Sequence, residues 1–289
     1  MIYGPIAVVA PCHAYDPAKL EAGLTLARRA GFTLELLPDL LQPYRYFAAP
    51  PAHRAAQLIQ ALTDPRYGAV WLVRGGSGMM QLLPALEGVA LRSDRPVIGF
   101  SDATALFAVL DRRNAGPIVH GPVLHSLAST ERADVAELFA LLRSGVEPIR
   151  WQGATLVSGH SEGPIVGGNL SLVASLCGTP HQIDAKGRIL LLEEVGEPAF
   201  RIERMLTQLA LAGVFDGAVG IGLGDLGDVP SGADYRMHDV VMDTLKPLNI
   251  PVLANLPFGH RTRNQPFVWN ARASIDDGEL RITSPSLLA

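Results

Sequence analysis

"RPVIGFSDATALFAVLDRRN", Arg95–Asn114, begins as an apolar run and ends as an amphipathic helix. Pro96–Phe100 has the continuous apolar character of a strand buried on both faces, and the segment after it has helical spacing. A strand passing directly into a helix is the repeating step of a doubly wound α/β domain, so this stretch decides the fold class. Between the two lies "GFSDA", with Ser101 at the corner. One reading makes Ser101 or Asp102 a helix N-cap. The other takes the turn as a device that projects the Ser101 hydroxyl at the carboxyl edge of the sheet, where open α/β sheets bind ligands. The elbow pattern G-x-S-x-G is matched only in part, because its fifth position is Ala103.

The same alternation extends in both directions. Before it come the apolar run Ile6–Ala10, a helix with Asp16 as cap, Pro17 at its first position and Gly31 beyond its end, then "FTLELL", "AHRAAQLIQAL" and "AVWLVR". After it come "PIVHG" and a helix near "RADVAELFALLRSG". The pattern weakens in the glycine- and turn-rich stretch Ser144–Pro164. We therefore expect an N-terminal α/β domain over 1–145, a linker over 146–165 and a second domain over 166–289. The second segment offers a helix from about Asn169, the strand "RILLLEE", a helix at "AFRIERMLTQLALAG", "AVGIGLG", a helix near "DVVMDTLKPL" and terminal strands "FVWNA" and "LRIT".

Composition narrows the function. Across 289 residues, 48% are hydrophobic and 18% charged, as in ordinary globular domains. A net charge of −4 supplies no basic field for nucleic acid or anionic membrane. No stretch approaches the roughly 18 apolar residues that span a bilayer, and the start lacks a signal-peptide pattern. Cytoplasmic residence is the expectation. Cys12 and Cys177 form neither a disulfide framework nor a zinc spacing, and the histidines show no metal motif, so no metal or other cofactor is expected.

Four turns could carry chemistry. The Ser101 corner precedes a helix whose unpaired N–H groups could hold an oxyanion. In "RGGSGMMQLL", Arg74–Leu83, Gly75 and Gly76 would let the backbone approach a ligand, but this is neither a dinucleotide fingerprint nor a P-loop. Arg74 could pair with a substrate carboxylate or with a nearby acid. "ILLLEEVGEP" ends an apolar strand with Glu193 and Glu194, either of which could orient a histidine or simply be solvated. "LPFGHRTRNQP" carries His260 in a loop, and a lone loop histidine is commonly ordinary. Together they supply Ser, carboxylate and imidazole in the order Ser101, Glu193, His260, without proof that the three meet.

"RGGSG", "GFSD", "EGPIVGGNLSLVASLCGTP", "LLLEEVGEPAFRIERMLTQL" and "LPFGH" resemble, in order and through nearly the whole chain, the LD-carboxypeptidase family. "IAVVAP" and "YFAA" add to the likeness. The resemblance implies a Rossmann-like N-terminal domain with a parallel sheet and a smaller C-terminal α/β domain of mixed β character. It also implies a Ser–Glu–His triad. Matched by motif, Ser101 is the nucleophile, Glu193 the orienting carboxylate and His260 the general base. The oxyanion N–H groups fall on Gly76 (or Gly75) and Asp102, with Arg74, Gly75 and Ser77 facing substrate. Ser77 stands where the family's glycine loop usually has an aromatic residue, and Cys12–His13 replace a common Ser-Gly, so substrate detail is open.

What the resemblance implies is a cytoplasmic, homodimeric serine peptidase that releases terminal D-alanine from murein tetrapeptides in peptidoglycan recycling. The family's microcin-immunity branch, which hydrolyses aminoacyl-nucleotide antibiotics, is the alternative with the same triad. A non-catalytic anion-binding α/β module, using "GGSG" and the helix N-terminus after Ser101, is the alternative from another class.

Overall fold

The computed structural model describes residues 2–144, 148–231, 233–283 and 287. The chain divides into two compact units: Met1–Gly145 with Gln265–Val268 and Ser286–Ala289, and Val146–Asn264 with Trp269–Pro285. The expected boundary at 145/146 lies outside the described residues.

In the first unit, β1 (Ile6–Val9), α1 (Pro17–Arg29), β2 (Leu34–Leu36), α2 (Pro51–Thr63), β3 (Ala69–Leu72), β4 (Val97–Gly99), α3 (Thr104–Arg112), β5 (Ile118–His120) and α4 (Arg132–Ser144) alternate as the apolar runs require. A 3-10 helix, Met79–Leu86, follows the glycines after β3. Pro84 lies inside it and cannot donate an intrahelical hydrogen bond. Asp16 caps α1 by accepting from the Ala18 N–H at 2.8 Å, with Pro17 at the first position and Gly31 at φ +90° past the end.

Strands β2, β1, β3, β4 and β5 lie side by side and parallel. β1, β3, β4 and β5 are buried along their whole length, as parallel strands covered on both faces must be. The strand order reverses between β1 and β3, which makes the carboxyl ends of these two strands the topological switch point of the sheet.

The second unit contains β6 (Ile149–Gln152), β7 (Ala154–Val157), β8 (His160–Asn169), α5 (Leu170–Leu176), β9 (Ile189–Glu193), α6 (Ala199–Leu211), β10 (Gly220–Leu223), α7 (Met237–Leu245), β11 (Val252–Ala254), β13 (Arg272–Asp276) and β14 (Glu279–Ile282). The intervening strand, β12 (Phe267–Val268), pairs antiparallel with β5 in the first unit's sheet. The stretch expected as a linker is strand in its described part: it forms β6, β7 and the start of β8. Its turn residues sit between those strands, with Gly159 at φ +143° ahead of β8. An eight-stranded mixed sheet runs in the order β6-β14-β13-β8-β9-β10-β11-β7, with β8 to β11 parallel at its centre. Ile202, Leu206 and Leu209 form the buried stripe of α6, while Met205 is half-buried and accepts from Ser171 Oγ. Among the described residues, no helix is long and apolar enough to cross a membrane.

Candidate active site

In the first unit the site begins where β4 ends. Gly99 permits the sharp exit, since a Cβ there would lie 2.8 Å from the Ala103 Cβ. Phe100 is extended and Ser101 then takes φ +64°, a left-handed conformation that a non-glycine residue holds at a cost of about 1–3 kcal/mol. A short 3-10 turn, Ser101–Ala103, leads into α3. Neither that turn nor α3 has a side-chain N-cap, so capping does not explain Ser101 or Asp102. The Asp102 carboxylate turns instead to the Met79 N–H, 2.8 Å away, at the start of the 3-10 helix after the glycines.

The glycine turn packs directly against this corner. A Cβ on Gly75 would lie 2.9 Å from the Ser101 Cβ and 3.1 Å from its Oγ. Gly76 has φ +107° and supports the His13 ring, whose Nδ1 would be 2.5 Å from an added Cβ. His13 Nε2 and Ser77 Oγ are 3.2 Å apart, and Arg74 Nη1 donates to the Ala14 carbonyl at 2.7 Å. Arg74 is thus engaged with the loop after β1 rather than with an acid. Burial lowers the His13 pKa, and the Arg74 charge lowers it further. Burial raises Asp102, against the Met79 hydrogen bond that favours its charged form.

In the second unit, Glu193 closes β9 and is fully buried. Its Oε2 lies 2.6 Å from His260 Nδ1. Gly259, at φ +135°, delivers His260 to this position, and a Cβ there would meet Asp225 at 3.1 Å and Glu193 Oε2 at 3.4 Å. Burial pulls the imidazole pKa down, but Glu193, with Glu194 and Asp225 behind it, outweighs this and the net direction is up. Burial also raises Glu193, with His260 acting in the opposite sense. Glu194 faces elsewhere: it accepts from Asn169 Nδ2 at 3.1 Å, the Ser171 N–H at 2.7 Å and the Val195 N–H at 2.9 Å. Glu197 pairs with Arg201 on α6. Among the described residues, no group of three or more His, Cys, Asp or Glu is arranged to hold a metal ion.

Two family models match this chain in tandem, the LD-carboxypeptidase N-terminal domain over residues 6–121 and the LD-carboxypeptidase C-terminal domain over residues 162–275. The chain belongs to the LD-carboxypeptidase family. The murein tetrapeptide carboxypeptidase of Pseudomonas aeruginosa is 33% identical over 97% of this chain and 95% of that protein. The muramoyltetrapeptide carboxypeptidase of Oxalobacter formigenes has the same fold, with a TM-score of 0.85 and 25% identity over 98% of this chain and 99% of that one. The microcin C7 self-immunity protein of Escherichia coli is 24% identical over 82% of this chain and 79% of that protein.

Around these LD-carboxypeptidase motifs stands Arg54, which sequence reasoning did not single out; it is buried with Cys12 beneath the glycine turn, while Asn169 caps α5 and holds Glu194. Asn169 was legible as a helix start from "GGNLSL". Arg54 was not, since one arginine in an amphipathic helix reads as its solvent face.

Proposed function

We propose that this LD-carboxypeptidase family member is a serine carboxypeptidase that hydrolyses the bond before the terminal D-alanine of murein tetrapeptides. The observation that carries the reading is the buried Glu193–His260 contact, 2.6 Å between Oε2 and Nδ1. A carboxylate on Nδ1 fixes the tautomer and reserves Nε2 for proton transfer. The strained Ser101 and the N–H-rich glycine turn beside it support the same reading.

In the reaction, His260 Nε2 removes the Ser101 hydroxyl proton as Oγ attacks the carbonyl carbon of the penultimate residue. The carbonyl oxygen takes negative charge and is held by the N–H groups of Gly76 (or Gly75) and Asp102. Protonated His260, stabilised by Glu193, then gives its proton to the departing nitrogen of D-alanine. Water, deprotonated by His260, attacks the acyl-enzyme and releases Ser101. Arg74 and Ser77 face the substrate in this scheme. Peptidoglycan recycling sets the reaction in the cytoplasm, and the active form is a homodimer.

The deciding experiment follows D-alanine release from a murein tetrapeptide by wild type and Ser101→Ala. Release by the wild type and its loss in a folded variant is the expected result, and undiminished release by the variant overturns the mechanism. Adding an aminoacyl-sulfamoyl adenylate to the panel reports on the immunity-type reaction. Cleavage of that compound alone would replace the murein substrate and leave the triad standing.

A further inference from the structure

Beneath the glycine turn of the first unit lies a knot of polar contacts that the proposed chemistry does not use. Arg54, on α2, is fully buried. Its Nε donates to the Ala49 carbonyl at 2.9 Å and its Nη2 to Gln81 Oε1 at 2.8 Å. Its Nη1 donates to the carbonyls of Pro11 and Gly78, the latter at 3.2 Å. The guanidinium also lies 4.4 Å from the Phe47 ring centroid. Pro11 belongs to the loop after β1 and Gly78 closes the glycine turn after β3. One side chain therefore ties together the two loops at the switch point of the sheet.

Asp102 adds a second tie. Asp102 is 2% exposed, and its carboxylate accepts from the Met79 N–H at 2.8 Å. The exit of the glycine turn is thus held at two consecutive residues, at Gly78 by Arg54 and at Met79 by the residue that follows Ser101. Such anchoring answers a physical need. Gly75, Gly76 and Gly78 have no side chains with which to fix their own position, and Gly76 and Gly78 have positive φ. Ser101 in the left-handed region likewise persists only where its surroundings over-determine it.

We infer that Arg54 and the Asp102 carboxylate are positioning residues that set the spacing between the glycine turn and the Ser101 turn, and so the convergence of the oxyanion N–H groups. The inference rests on the proposed serine mechanism. In it neither side chain touches the reacting atoms.

The test uses the full chain with Arg54→Lys, Arg54→Met, Asp102→Asn and Gln81→Leu. It reads kcat and KM for D-alanine release, the rate constant for phosphonylation of Ser101 by a fluorophosphonate, and Tm. Misplacement by an ångström costs about a hundredfold, so Arg54→Met should lower kcat and the phosphonylation rate by roughly 30- to 100-fold with little change in KM. Arg54→Lys should recover part of that loss, Asp102→Asn should lose about tenfold, and Gln81→Leu about threefold.

A merely structural role would lower Tm while leaving kcat per labelled Ser101 and the phosphonylation rate at wild-type values, and that result overturns the inference. Should Arg54→Met not fold, wild-type rates in both Asp102→Asn and Gln81→Leu overturn it equally. Wild-type labelling without D-alanine release would sink the substrate reading alone, and the phosphonylation rates would still decide. A wild type unlabelled at Ser101 removes the serine mechanism and this inference with it.

Discussion

Glu193 Oε2 and His260 Nδ1 are 2.6 Å apart, and the carboxylate of the pair is closed to solvent. In the proposed mechanism His260 must be neutral to act as base, and its pKa lies above the ordinary 6.5 because Glu193 outweighs the effect of burial. Activity should therefore rise with pH through that raised value. In Glu193→Gln the limb should move to lower pH, with kcat falling on the order of 10³-fold. A pH profile of kcat/KM checks this, and an unmoved limb in the variant contradicts it. For stability the sign is opposite: His260's contribution is fully present below 6.5 and is lost as pH rises through its folded-state pKa.

Glu194 should behave differently from its neighbour. It holds the N-terminus of α5 through the Ser171 N–H and does not face His260. Glu194→Ala should lower stability by about 1–3 kcal/mol through lost charge-assisted hydrogen bonds and reduce kcat by less than about fivefold. Denaturant unfolding and steady-state kinetics on the two variants separate their roles. A larger kcat loss for Glu194→Ala than for Glu193→Gln would reverse the assignment.

Strain at Ser101 gives an unusual pair of outcomes from one substitution. Ser101→Gly removes the proposed nucleophile and also relieves the left-handed backbone at φ +64°. D-alanine release should vanish while Tm rises, by the equivalent of about 1 kcal/mol. Ser101→Ala keeps the backbone penalty and should not show the rise. Calorimetry of the two variants tests the difference.

Gly75 is limited by space. A Cβ there would press on the Ser101 Cβ at 2.9 Å and the Phe100 carbonyl oxygen at 3.1 Å. Gly75→Ala should displace the Ser101 corner and lower kcat by more than about tenfold, with a stability loss of about 1–3 kcal/mol. Wild-type kcat in that variant would show that the corner tolerates the shift.

Much of the first unit was legible because its strands are buried on both faces and so read as unbroken apolar runs. The start of α1 was equally plain, since Asp16 and Pro17 state both cap and first turn. The stretch around Trp151 was not. β6 and β7 are mostly exposed or half-buried and lie beside turn residues, so they offer a single sequence no apolar signal. A strand at "FVWNA" was legible, but its pairing with β5 in the first unit was not, because β5 lies far back along the chain. The choice between Glu193 and Glu194 was closed to residue-level reasoning, because both acids end the same apolar run and only their partners distinguish them. Arg54 was hidden for the converse reason: its partners are mainly backbone carbonyls, which every sequence has and no motif records.

The antiparallel pairing of β12 with β5 sets the schedule on which this protein can be made. Phe267 stacks on His120 at the rim of a sheet whose other five strands leave the ribosome within the first 120 residues. Until residue 268 follows, β5 remains an open edge able to recruit strands from neighbouring chains. The nascent first unit therefore waits, incomplete, while nearly the whole of the second is translated. A gene shortened just after His260 would encode every residue of the proposed triad and still leave the sheet that carries Ser101 without its last strand.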